Sequence, residues 1–377
     1  MKKTNLFTNK LILRLLIILI ISIAAVVFVR FDYFLYDDTI ATVREVTETK
    51  ADKKTGFDGK HEYEENYYTQ DITAEIRNGS NKGKTVHLKN DCTESNVYDL
   101  RYKKGDDLFI ERVESEGTEL TGVITSQKRD YYVAFALVSL VALFVLIGGS
   151  KSMLTVLSLA LNMGCFYAVI LLYFKGYNML LLSIPMIIIF AALLLLFMYG
   201  RNIKTLLAFA ATLITTALTV AIAAVSLNFS GNIDYDFLEY MIQPYDPIAA
   251  RNIFLAEILV GCMGAVMDVV VTMIITIDEI TLNNPQIEKK SLKASCRNVG
   301  DEIVGTMIAI MFFTNIASGI PFFILSMRNG IAIHTILRYN CFFEIARFLS
   351  GSIAVVLAIP VASFIGISYY KRRIKAC

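Results

Sequence analysis

Apolar residues in this chain gather into long runs instead of recurring at the period of a half-buried helix or strand. Eight runs stand out, near Leu11–Val29, Tyr131–Gly148, Met153–Phe174, Met179–Met198, Ile203–Leu227, Asn252–Ile280, Asp301–Met327 and Ser350–Tyr370. A helix of about 20 apolar residues crosses roughly 30 Å of hydrocarbon, so the pattern predicts a polytopic α-helical membrane protein of about eight spans. The first run, within residues 1–29, reads as an uncleaved anchor. Its 19 residues exceed the apolar part of a signal peptide, and no small-x-small cleavage pattern follows before "RFDYFLYDD".

Between the first two runs, residues 30–130 break the pattern. Short alternating segments, "ATVREVTE", "YTQDITAEIRNG", "KTVHLKND" and "DDLFIERVES", are separated by the turn signals "RNGSNKG" and "KKGDD". They predict a separate, small β-rich domain, a barrel or sandwich of possible OB type. The segment holds 22 acidic and 16 basic residues. That balance argues against nucleic acid and for a protein partner in the cell envelope, or for a passive cap. The "NGS" at Asn78 is too short a match to carry glycosylation.

Beyond the domain the spans divide into two kinds. Residues 131–227 predict an apolar four-span bundle whose loops "GGSK", "KGYN" and "YGRN" are so short that consecutive spans pack antiparallel. The fifth run, rich in Ala and Thr, reads as a packing centre. Residues 228–377 predict a more polar three-span region. Its outer loop suggests an interfacial helix over Tyr235–Ile242. The stretch "NGIAIHTILRYNCFFEIARFLSG" suggests an amphipathic helix leading into the last span.

Composition agrees with a membrane protein: 55% of the 377 residues are hydrophobic, and mean hydropathy is +0.54. The formal net charge of +2 says little, but the placement of charge along the chain says more. Outside residues 30–130, one set of alternate loops and termini carries Lys2, Lys3, Lys10, Lys151, Arg201, Lys204, Lys289, Lys290, Lys293, Arg297, Lys371, Arg372, Arg373 and Lys375. The opposite set carries Lys175, Arg251, Arg328, Arg338 and Arg347. The positive-inside rule makes the first set cytoplasmic, with both termini inside and residues 30–130 outside. The six cysteines show no repeated spacing and the three histidines lie far apart, so neither a disulfide framework nor a metal site is expected. A Cys92–Cys341 bridge has no support beyond both residues facing the oxidising side.

The candidate chemistry lies in the sixth and seventh spans. At about 100° per residue, Glu257 and Asp268 fall on one line with Gly261 and Gly264, and Thr272, Thr276 and Glu279 extend it. An ionised carboxylate near mid-span costs about 2.5–3.5 kcal/mol on insertion scales, and no Lys or Arg lies deep in spans two to eight. Asp268 therefore needs a proton, water or a bound cation. The seventh span offers Asp301, Glu302, Gly305 and Thr306, with Asn315 deeper, so the two spans are expected to line one polar cavity. Gly261, Gly264 and Gly305 are expected at close helix contacts. The plainer reading of Asp278, Glu279, Asp301 and Glu302 is of ordinary helix-end charges.

The segments "GCMGAVMDV" (Gly261–Val269), "NVGDEIVGTM" (Asn298–Met307) and "SGSIAVVLAIPVASFI" (Ser350–Ile365), with "KGDDLFI" in the outer domain, resemble the YibE/F-like family of multi-span bacterial membrane proteins. The resemblance covers most of the chain. It implies the topology, a multi-pass protein of the bacterial cytoplasmic membrane, and supports the choice of Asp268, but it implies no activity. The residues themselves favour a transporter or permease-like protein for a small solute or ion, with Asp268, Glu257, Asp301, Glu302, Thr272 and Asn315 as the translocation or cation site. The alternative is an envelope scaffold or sensor acting through residues 30–130. No nucleophile–base pair, metal cluster, phosphate loop or cofactor motif is present, so an enzyme is not expected.

Overall fold

The computed structural model describes residues 19–57, 62–116, 119–229, 235, 246–337 and 341–376. The chain divides into two compact units, Met1–Gly149 and Ser150–Cys377. The boundary places the second apolar run, Tyr131–Gly148, in the first unit.

The first unit holds helix α1 (Leu19–Arg30), strands β1 (Thr39–Phe57), β2 (Glu62–Ile76), β3 (Thr85–Thr93), β4 (Asp107–Glu116) and β5 (Glu119–Gln127), and helix α2 (Asp130–Gly148). The strands close a barrel in the order β1-β2-β3-β5-β4, with β3 and β5 parallel and the other pairs antiparallel, as in an OB-type barrel. Alternate residues fill it, among them Val43, Ile72, Ala74, Val86, Leu88, Leu108 and Ile110. Both predicted turns contain glycines at positive φ. Gly105, at φ 93°, donates its N–H to Val43 O at 2.9 Å. The four expected strand segments all form strands, and β5 is an addition. So is a two-stranded arm in which Lys53–Phe57 pair with residues 62–66 beyond the barrel. Its residues are mostly polar on both faces because the arm is largely exposed. Gly56 lies opposite Tyr63, whose ring occupies the space a Cβ would need.

Two buried polar side chains fix where the barrel begins and ends. Asn78 is 7% exposed. Its Oδ1 accepts from the Ile40 N–H (2.7 Å), and its Nδ2 lies within donating distance of the carbonyls of Tyr33, Tyr36 and Asp38 (2.8–3.1 Å). The amide of the "NGS" match is thus a structural bracket. Lys128, 2% exposed, donates to the Val29 carbonyl at the end of α1 (2.5 Å) and to Asp130 at the start of α2 (2.7 and 2.8 Å), and pairs with Asp32 at 2.8 Å. Tyr36 donates to the same Asp130, and burial together with that carboxylate holds the Tyr36 hydroxyl well above its usual pKa.

The second unit comprises α3 (Ser150–Phe174), α4 (Met179–Tyr199), α5 (Ile203–Phe229), α6 (Pro247–Asn283), α7 (Lys289–Arg328), the short turn α8 (Ile333–Thr335) and α9 (Phe342–Ala376). Helix starts follow local chemistry. Asn178 accepts from the Leu180 N–H (2.9 Å) ahead of α4, and Asp246 accepts from Ile248 (2.9 Å) with Pro247 opening α6. Seven helices among the described residues are long and apolar enough to cross a membrane. Most of the first expected span lies outside the described residues, as does the expected helix over Tyr235–Ile242 apart from Tyr235 itself. The amphipathic stretch before the last span becomes, from Phe342 onward, the first turns of α9.

At 37 residues, about 55 Å, α6 is the axle of this unit, packed by α4, α5, α7 and α9. Helix α5, expected to pack closely through its small residues, has Ala208, Ala211, Thr215 and Thr219 buried and packs on α6 and α9. Four of its threonines, Thr212, Thr215, Thr216 and Thr219, are buried because each donates to the carbonyl four residues earlier (2.7–2.9 Å). α7 packs chiefly on α9.

The close helix contacts lie at glycines other than those expected. A Cβ on Gly366 would come within 2.8 Å of Ile277, one on Gly300 within 2.8 Å of Ile359, and one on Gly351 against Met311. Gly261, Gly264 and Gly305 have nothing within 4 Å of where a Cβ would stand, because each faces away from the helices packed on its own.

Two outcomes test this arrangement. Lys128→Met strands Asp32 and Asp130 and should destabilise the barrel by about 3–5 kcal/mol, read as faster hydrogen exchange across the strands of the full chain. Gly366→Val should overpack the α6–α9 contact and cost about 1–3 kcal/mol, whereas Gly264→Val should cost far less in thermal unfolding.

Candidate functional site

Helix α6 is covered on all sides but one. Phe254, Ile258, Cys262, Val266, Val269, Val270, Met273, Ile274 and Ile277 are buried, whereas Glu257, Gly261, Gly264, Asp268, Thr272 and Glu279 are exposed. The polar line drawn on a helical wheel is therefore a real surface, and it is the open side of the axle. Thr276 sits at its margin, half-buried.

The acids of α6 are treated differently. Near the helix start, Glu257 meets Arg347 of α9 at 2.9 Å, and Arg347 also pairs with Glu344 at 2.6 Å. Asp278, toward the other end, is not an interfacial helix-end charge. Its side chain is 5% exposed and pairs with Lys204 in the first turn of α5. Asp268 lies between them. Among the described residues its carboxylate has no ion pair and no hydrogen bond. The hydroxyl of Thr272 donates to the Asp268 main-chain carbonyl (2.8 Å) and leaves the carboxylate alone. The side chain within electrostatic reach is Tyr199, the last residue of α4.

Among the described residues, the seventh-span candidates form no ion pair or hydrogen bond with the Asp268 carboxylate. Asp301 is exposed and stands 3.8 Å from Arg297 one turn earlier on its own helix. Glu302, Gly305 and Thr306 are exposed on α7, and the Asn315 side-chain amide donates to the Met311 carbonyl (2.8 Å). The cavity beside the α6 stripe lies on the α4 and α5 side. It encloses about 200 Å3 and is lined by Tyr199, Lys204, Thr205, Val271 and Ile275, among others. The two partners that sequence reading missed, Lys204 and Arg347, lie near helix starts, where a cation reads as an interfacial charge and its turn toward a neighbour is invisible.

No group of three or more His, Cys, Asp or Glu among the described residues could hold a metal ion, and Cys92, Cys165, Cys262, Cys296 and Cys341 are free thiols. On the barrel, an open groove of about 780 Å3 lies over Gln70. Gln70 donates to the Tyr102 carbonyl (3.1 Å) and accepts from the Tyr102 N–H (3.0 Å), which holds the β3–β4 loop down. The hydrogen bond from Arg101 keeps the Glu48 carboxyl at the groove's rim below its ordinary pKa.

Asp278→Asn should lower the thermal stability of the chain by about 1–3 kcal/mol, because the amide cannot replace a charged partner for Lys204. Asp268→Asn should change it by less than about 0.5 kcal/mol. Equal losses from the two exchanges in detergent melts would contradict the division between paired and unpaired acids.

The model of the YibE/F-like protein family matches residues 136–372, and that of the YibE/F family N-terminal domain matches residues 34–127. The two matches cover the barrel strands and helices α3 to α8, with most of α2 and α9. No curated protein and no solved structure matches the chain.

Proposed function

The chain belongs to the YibE/F-like family, and on that premise we propose that it is a multi-pass protein of the bacterial cytoplasmic membrane that moves a small solute or ion along the open face of α6, with Asp268 as its proton or cation site. One observation carries this reading. Glu257 and Asp278 each have a basic partner from another helix, and Asp268 has none among the described residues.

A carboxylate at that depth needs a proton, a mobile cation or water, and each of these belongs to a pathway more naturally than to a packed core. The glycines at Gly261 and Gly264 support the reading, because they keep the surface beside Asp268 free of side chains. Glu257, on the same line, would mark the outer end of the path, and Thr272 the step beyond Asp268. Asp301, Glu302 and Asn315 take a lesser place in the proposal, Asp301 being paired with Arg297 of its own helix. Lys204 and Arg347 enter it as the groups that neutralise Asp278 and Glu257, so that Asp268 binds a proton or cation without a fixed basic partner. No catalytic role is assigned to any of these residues.

The second reading is an envelope scaffold or sensor. The long β1–β2 arm favours it, because a largely exposed two-stranded ribbon with Phe57 and Tyr63 at its surface offers a partner more than a passive cap needs.

Purified protein in liposomes should carry a flux of protons or of one salt from a panel, and Asp268→Asn should reduce it at least about tenfold with insertion and melting unchanged. Full flux in a well-folded Asp268→Asn protein sinks the assignment. If wild type and variant are both silent while shortening the β1–β2 arm abolishes capture of an envelope protein, the scaffold reading takes its place.

A further inference from the structure

The first turn of α5 carries a buried hydroxyl that nothing in the described chain meets. Thr205 is 5% exposed and its Oγ1 has no hydrogen-bond partner. Its four companions on the helix, Thr212, Thr215, Thr216 and Thr219, all donate to the carbonyl four residues earlier. The difference is positional, because four residues before Thr205 stands Arg201, which lies outside the helix. The same turn leaves main-chain donors open. Leu206 has the first N–H of α5 to reach a carbonyl, that of Asn202 at 3.1 Å, so those of Ile203, Lys204 and Thr205 reach none among the described residues. The Asn202 side-chain amide donates to the Tyr199 carbonyl at 3.0 Å, and its Oδ1 accepts from none of these N–H groups.

Thr205 lines two adjoining cavities. One, of about 200 Å3, is lined largely by apolar side chains but has Tyr199, Asn202 and Lys204 at its wall. The other, about 370 Å3, is apolar, formed by side chains such as Leu196, Leu206 and Phe209, and Arg201 lines it too. Lys204 is committed to Asp278. Arg201 is exposed and in no ion pair among the described residues.

We propose that the N-terminus of α5 binds the phosphate of an anionic membrane lipid. Arg201, the Thr205 hydroxyl and the open N–H groups of the first turn meet the headgroup, and an acyl chain lies in the apolar cavity. Each part follows from elementary chemistry. A helix N-terminus presents N–H groups and partial positive charge to an anion. A guanidinium matches phosphate geometry with paired hydrogen bonds. Basic pockets between membrane helices bind anionic headgroups. A free phosphate could use the same donors but would leave the apolar cavity beside them without an occupant. Neither cavity is lined by Glu257, Gly261, Gly264, Asp268 or Thr272 of the α6 line, and the proposal does not depend on the transport reading.

The test is native mass spectrometry of the full-length protein in detergent, titrated separately with phosphatidylglycerol, phosphatidylcholine and inorganic phosphate. Wild type should retain phosphatidylglycerol in preference to phosphatidylcholine. The double variant Arg201→Gln, Thr205→Val should bind phosphatidylglycerol at least tenfold more weakly, with phosphatidylcholine retention unchanged. Both exchanges leave the Lys204–Asp278 pair intact, and if the double variant melts early, the exposed Arg201→Gln alone carries the comparison. Equal retention of phosphatidylglycerol by variant and wild type overturns the proposal. So does inorganic phosphate that binds as tightly as the lipid and displaces it, because the site would then serve a free anion.

Discussion

Every charge placed on a helix surrounded by hydrocarbon has to be met, and that requirement organises the second unit around α6. Two of the acids on this helix are met by cations from its neighbours. Lys204 reaches Asp278 from the first turn of α5, and Arg347 reaches Glu257 from the early turns of α9. These pairs lie toward opposite ends of the same axle and join it to different helices, so they set register in a core that is otherwise apolar and tolerant of sliding. Apolar packing supplies most of the stabilisation along α6, and the charges specify which of several similar packings forms. Gly366 adds a steric condition, since only a residue without a Cβ lets α9 approach Ile274 and Ile277 so closely.

The first unit meets the same requirement with a different solution. Where α1 ends and α2 begins, the chain leaves and re-enters an apolar run, and free carbonyls and acids collect there. Lys128 gathers the Val29 carbonyl, Asp32 and Asp130 at one point, and Asn78 gathers three further carbonyls beside it. Each is a single side chain whose donors are shared among groups remote in sequence. Neither could be replaced by packing, because the groups they hold are main-chain acceptors and carboxylates that remain polar whatever surrounds them.

The sequence announces those features that depend on one element and conceals those that depend on two. The apolar runs, four of the five barrel strands and the polar line through Glu257, Gly261, Gly264, Asp268 and Thr272 are periodic properties of single segments, and they were legible. The partners of that line were not. Lys204 and Arg347 look like interfacial charges until α5 and α9 turn them toward α6. The glycines show the limit most clearly. A small residue reveals that a backbone could come close, and it does not reveal on which side the neighbour lies. Hence Gly261, Gly264 and Gly305 stand open while Gly300, Gly351 and Gly366 make the contacts. The two-stranded arm was hidden for a related reason: exposed on both faces, it lacks the alternation by which a half-buried strand is recognised.

A comparison of α5 with α6 shows why Asp268 cannot be dismissed as another polar residue in a buried region. The interior of a helix offers a side chain carbonyl oxygens and no free N–H groups, because each amide hydrogen is already committed to the preceding turn. A hydroxyl can use that surface. Four threonines of α5 do so and are buried at little cost, and Thr272 of α6 does the same to Asp268's own carbonyl. An ionised carboxylate cannot, since it only accepts, and its donors must be other side chains, water or a bound cation. A protonated carboxyl regains a donor and can bond to the preceding turn as a threonine does. For Asp268, with no basic partner among the described residues, uptake of one proton would thus convert a group that must recruit water or a cation into one that its own helix can satisfy. That difference between two charge states, with no change in fold, is the kind of device a coupled transporter requires.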